Sequence, residues 1–185
     1  KGGLSVFQVS PDGESIALVM SDPQTEEEKQ NTESRRDARV IDENIKYGHL
    51  YVFGLDVDAE GARPLRRLTH GEFHISGGFR GSAFDWSPDG QFIAFSHTRS
   101  PKVDDWPTAD ISVIDVASGS VRPLIATGAA ETSPTYSPDG RLIAFSMSDD
   151  PPTWAFTSRV TVMPAQGGDV RTLAATPDEQ PAILG

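Results

Sequence analysis

Three apolar runs set the rhythm of the chain, in "ESIALVM" (Glu14 to Met20), "QFIAFSH" (Gln91 to His97) and "RLIAFSM" (Arg141 to Met147). A short apolar run entered from a polar residue and bounded by turn signals reads as a strand buried on both faces. Each run follows the same tetrapeptide, Ser-Pro-Asp-Gly, at residues 10–13, 87–90 and 137–140. Serine suits the first position of a type I turn, proline with its fixed φ the second, and glycine the last. The tetrapeptide is therefore a corner leading in from an earlier strand ("LSVFQV", "SAFDW", "SPTY"), with Gly13, Gly90 and Gly140 expected at positive φ.

A second hairpin follows each first one, in "HLYVFGLDVDAEGARPLRRLTHG", "DISVIDVASGSVRPLIATG" and "RVTVMPAQGGDVRTLAAT". Each holds an apolar strand, a glycine-bearing turn (Glu60-Gly61, Ser118-Gly119, Gly167-Gly168) and a strand with Arg-Pro-Leu or Arg-Thr-Leu. One repeat is thus four antiparallel strands. The second and third tetrapeptides lie 50 residues apart and the first two 77, because a polar insert follows Met20. A repeat of about 40 to 50 residues with four strands is the signature of a β-propeller blade. The fold expected is all-β, a partial propeller of three four-stranded blades at 4–70 (insert 21–48), 81–128 and 133–176, with the first strand of a fourth at 181–185.

Composition narrows the partners. The net charge of −11 argues against a nucleic-acid partner, which needs a basic footprint. No apolar stretch reaches membrane-spanning length, so a soluble chain is expected, without a membrane partner. The absence of cysteine removes disulfides and thiolate metal sites but does not separate cytoplasm from periplasm.

The insert adds a more specific signal. "RRDARVIDENIKYGHLYVF", then "RRLTHGEFHISG", "FDWSPDGQFIAFSHTRSP" and "DISVIDVASGSVRPL", resembles the propeller of the prolyl oligopeptidase family of serine peptidases, in its dipeptidyl- and acylaminoacyl-peptidase branch. The resemblance implies an α/β-hydrolase domain with a Ser-Asp-His triad and a peptide substrate met through that domain. A nucleophile elbow needs Gly-x-Ser-x-Gly between a strand and a helix, and this chain has none. No catalytic residue is assigned, and no cofactor is implied. The Ser-Pro-Asp-Gly hairpin also occurs in TolB-like periplasmic propellers, which makes a non-enzymatic protein-binding propeller the rival reading.

Candidate contact residues are few. Glu26, Glu27 and Glu28 resemble the acidic pair with which dipeptidyl peptidases of that family hold a substrate's ammonium group, although a charge run is also an ordinary solvated surface. Arg35, Arg36 and Arg39 could grip a carboxylate bidentately. The first half of the insert is polar enough to be disordered. Trp86 is expected between blades, whereas Trp106 and Trp154 lie in the longer connections and are candidates for a contact surface. His70 and His74 lack the helix and glutamate placement of a zinc motif, and Asp56 to Gly61 only opens like a calcium loop, so no metal is assigned.

In an antiparallel blade the tetrapeptide turns and the short glycine turns share one end of the strands. The insert, the two tryptophan loops and the "THGEFHISGGFRG" link share the other, and long loops on a rigid scaffold are where function concentrates. Three blades do not close a ring, so either a longer polypeptide or self-association is expected to complete it.

Overall fold

The computed structural model describes residues 4–36, 44–57, 59, 61–77, 81–154 and 157–173. Its corners explain the repeated tetrapeptide. In each, the glycine N–H donates to the serine carbonyl (Gly13 to Ser10 2.9 Å, Gly90 to Ser87 and Gly140 to Ser137 2.8 Å), with the glycine at φ +76°, +69° and +69°. The side chains complete the turn. Ser10 Oγ donates to Asp12 Oδ1 at 2.5 Å, the Glu14 N–H donates to the same carboxylate at 2.9 Å, and the Ser15 N–H donates to Ser10 Oγ at 2.9 Å. The same net recurs through Ser87, Asp89, Gln91 and Phe92, and through Ser137, Asp139, Arg141 and Leu142. Serine and aspartate are thus needed together, because one carboxylate holds both the hydroxyl and the outgoing backbone.

Three antiparallel sheets follow from these corners. The first is β1 (Leu4–Val9), β2 (Ser15–Ser21), β3 (Gly48–Gly54) and β4 (Leu65–Arg67), in that order. The second is β5 (His74–Ile75) and β6 (Phe84–Trp86), both paired with β7 (Phe92–Thr98), then β8 (Asp110–Asp115) and β9 (Val121–Ile125). The third is β10 (Glu131–Tyr136), β11 (Leu142–Ser148), β12 (Ser158–Pro164) and β13 (Arg171–Thr172). The fold is a partial β-propeller of three blades. The expected strand at 181–185 lies outside the described residues.

Two details depart from the sequence reading. The second blade begins before residue 81, because His74 and Ile75, expected in the link, pair with Thr98 and His97. The insert, expected to be disordered in its first half, carries α1 (Glu26–Glu33), capped by Thr25.

Period-two alternation then decides the packing. On β7, Ile93 and Phe95 join a core with Ala17, Val19, Leu50 and Val52 of the first sheet, while Ala94 between them joins Ile143, Phe145 and Met163 of the third. The middle sheet is therefore covered on both sides, and Ile93, Ala94 and Phe95 are fully buried. Trp86 packs in the first of these cores, between blades as expected. Among the described residues the outer sheets have a neighbouring sheet on one side only. Gln8 reaches across to the Phe84 carbonyl at 2.8 Å, which turns its neighbours Phe7 (60% exposed) and Val9 (51%) the other way. On the third sheet Val160 is 54% exposed. The expectation of strands buried on both faces thus holds along β7 and at the centre of β2, where Leu18 is buried between Ala17 and Val19, but not on β11, where Ala144 between buried Ile143 and Phe145 is only half-buried.

Candidate functional face

The loop end of the strands gathers the side chains that the turns leave out. Its best-defined feature is an aromatic pair. Trp106 sits in a 3₁₀ turn (Val103–Thr108) between β7 and β8, and Trp154 in the connection between β11 and β12. The structure brings them together, with ring centroids 5.4 Å apart and planes at 64°, an edge-to-face contact. Trp154 is 55% exposed and Trp106 half-buried, so the pair presents an apolar ledge to solvent.

The turn beneath Trp106 is fixed by Asp105. This buried carboxylate accepts from Arg99 Nη2 at 2.5 Å and from the Ser100 hydroxyl, and the two donors hold its proton affinity below the usual aspartate range. Thr108 Oγ1 donates to the Asp105 carbonyl at 2.7 Å and accepts the Arg99 N–H at 3.0 Å, closing the loop on itself.

The charged candidates on the insert prove mostly engaged. Thr25 and Glu28 form a reciprocal capping box: the Thr25 N–H donates to Glu28 Oε2 at 2.6 Å, and the Glu28 N–H donates to Thr25 Oγ1 at 3.2 Å. Glu28 also pairs with Lys46 at 2.7 Å, and Glu26 with Lys29 at 2.5 Å. Glu27 is exposed on the same first turn, where negative charge suits the helix dipole. Arg35, at φ +55°, and Arg36 close the other end through their backbone N–H groups, which donate to the Thr32 and Asn31 carbonyls at 3.1 and 2.7 Å. Both side chains are exposed; Arg39 lies outside the described residues. The structure thus joins the two tryptophans, while Glu26 and Glu28 are engaged within the insert with Lys29 and Lys46.

Two buried titratable groups at this end went unnoticed in the sequence. Glu131, at the start of β10, is fully buried. The Thr127 hydroxyl donates to its Oε1, while Oε2 has no hydrogen-bond partner among the described residues. Burial, with Asp110 and Asp150 nearby, pushes its pKa up to about 7. His49, at the start of β3, is buried against the edge of Phe73, 5.7 Å between centroids, with Nδ1 3.3 Å from Thr69 Oγ1. Burial and the Arg67 charge lower its pKa to about 4. His74 accepts the Gly48 N–H at 2.8 Å and His70 is exposed; among the described residues no group of three histidines and carboxylates is placed to hold a metal. A polar residue where the second blade has Ile75 was the available signal for Glu131, hidden because Ile75 was read as link.

No protein-family profile matches the chain, and no curated protein does. Solved structures are similar in fold. A protein assigned as TolB from Agrobacterium tumefaciens is 23% identical over 93% of this chain and 48% of its own, with a TM-score of 0.56. The β-propeller domain of the Trilobed protease from Pyrococcus furiosus is 15% identical over 95% of this chain and 43% of that one, at 0.55. The acylaminoacyl peptidase of Pyrococcus horikoshii is 17% identical over 94% of this chain and 25% of that one, at 0.54. The chain therefore spans about half or less of these proteins, and what it shares with them is the propeller fold.

Proposed function

We propose that this chain is the substrate-screening propeller segment of a serine peptidase similar to the prolyl oligopeptidase family, in its dipeptidyl- and acylaminoacyl-peptidase branch. The hydrolase domain that cuts the peptide belongs to polypeptide outside these 185 residues. The observation that carries this reading is the unequal use of the two strand ends. One end is three copies of one closed turn; the other holds the Trp106–Trp154 ledge on a turn braced by Asp105. A rigid, part-exposed aromatic pair suits transient contact with apolar peptide side chains, since aromatic anchors dominate peptide and protein contacts. Peptidase propellers among the similar structures support the same reading.

A second reading is favoured by one specific observation. Two TolB proteins, at 23% and 21% identity, are more similar in sequence to this chain than the peptidases, at 14–17%. In that reading the same ledge docks a protein partner in the periplasm and no catalysis occurs. Affinity capture of the native polypeptide that contains this segment, followed by fluorophosphonate labelling, separates the two. The peptidase reading expects a labelled serine beyond the propeller. An unlabelled polypeptide made only of further Ser-Pro-Asp-Gly repeats would replace it with the TolB-like one.

A further inference from the structure

The link from β9 into β10 is the common root of both tryptophan connections. On one side the Glu131 N–H donates to the Ala109 carbonyl at 2.7 Å, and the Ala109 N–H donates to that of Trp106 at 3.2 Å, so the link carries the end of the Trp106 turn. On the other side it clasps Ser148, the last residue of β11 before the connection to Trp154. The Ser148 N–H donates to the Ala130 carbonyl at 3.0 Å, and the Ala130 N–H donates to Ser148 Oγ at 2.8 Å. A little further along that connection, the Asp150 carboxylate lies directly on Gly128. A methyl group at Gly128 would stand 2.5 Å from Asp150 Oδ1, so the seat exists only because residue 128 has no side chain.

Glu131 ends this link with its side chain fully buried. Oε1 is held by the Thr127 hydroxyl, which is itself fixed by accepting the Ala129 N–H at 3.1 Å, and Oε2 has no partner among the described residues. The charged groups that act on Glu131 are the carboxylates of Asp110, at the head of β8, and of Asp150. Among the described residues neither aspartate has a hydrogen-bond or salt-bridge partner for its carboxylate. The other titratable groups on the elements around β10 are turned elsewhere. His97 of β7 meets Ser112 Oγ at 2.9 Å, Asp85 of β6 accepts the Tyr136 N–H at 2.8 Å at the far end of β10, and Arg159 of β12 pairs with Asp149 at 3.6 Å. An ionised Glu131 therefore adds a third carboxylate charge to a site with no cation to offset it, and like charges brought together out of water repel. Burial and the two aspartates delay that ionisation to about pH 7.

From this we infer that Glu131 is a proton-operated latch for the tryptophan ledge. With the proton on, the carboxyl is neutral, Asp150 keeps its seat on Gly128, and Trp154 stays against Trp106. With the proton off, Asp150 is repelled from the junction, and because it lies on the same connection as Trp154, the indole pair comes apart. Asp110 does not yield in this way, since it opens β8 and is held in register opposite His97, whereas Asp150 is exposed and lies outside any strand. The ledge is thus assembled in mildly acidic solution and loosened as pH rises. What the latch serves rests on the proposed reading of the ledge as a contact for peptides; whether it moves does not.

Fluorine resonances of fluorotryptophan in the native polypeptide that carries this segment test it, with the two signals assigned by Trp106→Phe and Trp154→Phe. Between about pH 6 and about pH 8.5 both signals should shift with a shared midpoint, the Trp154 signal further than that of Trp106. Glu131→Gln, neutral throughout, should abolish the step and keep both signals at their low-pH positions. Asp150→Asn, at an exposed site, should remove most of the Trp154 change, because the side chain that is driven off has lost its charge. Acetyl-phenylalanine amide, a neutral aromatic probe, should bind wild type about tenfold more weakly at the high-pH end and bind Glu131→Gln equally at both ends. Signals that titrate while this probe binds at neither end would count against the peptide-contact reading and uphold the latch. Signals that stay still across the interval, or that move equally in Glu131→Gln, would overturn it. If Glu131→Gln does not fold, Asp150→Asn decides: a wild-type step at Trp154 in that variant overturns the latch, and its loss supports it.

Discussion

Glu131 and His49 are buried at the same end of the strands, yet their protons are shifted in opposite senses. Glu131 keeps its proton in the folded chain up to about pH 7 against an ordinary 4.5, so it adds stability at low pH that is lost as pH rises through that interval. His49 resists protonation down to about pH 4 against an ordinary 6.5, so its contribution is present above that value and is lost as pH falls. The two slopes oppose each other across their shared window. Glu131→Gln removes one of them while keeping an acceptor for Thr127. Urea melts should show the variant more stable than wild type at pH 8 by on the order of 1 to 3 kcal/mol and nearly equal at pH 4.5. An identical difference at both values would mean that Glu131 does not titrate in this range. The corner aspartates behave in the ordinary way: Asp139, held by the Ser137 hydroxyl and the Arg141 N–H, is lowered to about 2, and the serine-led nets lower Asp12 and Asp89 in the same direction.

At the scale of single elements, the loop between β7 and β8 is a rigid shelf because Asp105 ties both of its ends. Asp105→Ala leaves Arg99, Ser100 and the turn without their common acceptor, and is expected to cost about 1 to 3 kcal/mol. The specific readout is the indole pair: near-ultraviolet dichroism from Trp106 and Trp154 should collapse while the strand signal in the far ultraviolet is kept. Retention of the indole signal would show that the ledge does not depend on this carboxylate. The strands of each sheet were legible in the sequence because their signals are local, an apolar run beside a turn whose residues have fixed roles. What stayed hidden depends on contacts between sheets. Nothing near Trp106 announces Trp154, which reaches it only after the second and third sheets pack. The α1 helix was hidden for a different reason: Thr25-x-x-Glu28 is a readable capping box, but with no apolar face behind it the segment read as a solvated charge run. Two-residue β5 lacked the length for any periodic signal.

The three sheets taken as one molecule are not equally placed, and that inequality sets how the native state opens. In an array of repeats, stability is approximately a sum of what each repeat contributes and what each shared boundary adds. Among the described residues the middle sheet takes part in both boundaries and each outer sheet in one. In the 185-residue chain by itself an outer sheet can therefore detach by giving up a single boundary, whereas the amides of β7 and β8 exchange only when both are lost. Native-state hydrogen exchange should find its slowest protons at Ile93, Phe95, Ile111 and Val113, all buried to within 1%, and protons released first from β4 and β13. Equal protection across all three sheets would mean that they open as one unit. A ligand held by the Trp106–Trp154 ledge bridges the second and third sheets, so its binding should slow exchange in β11 and β12 while leaving β2 and β3 as they were.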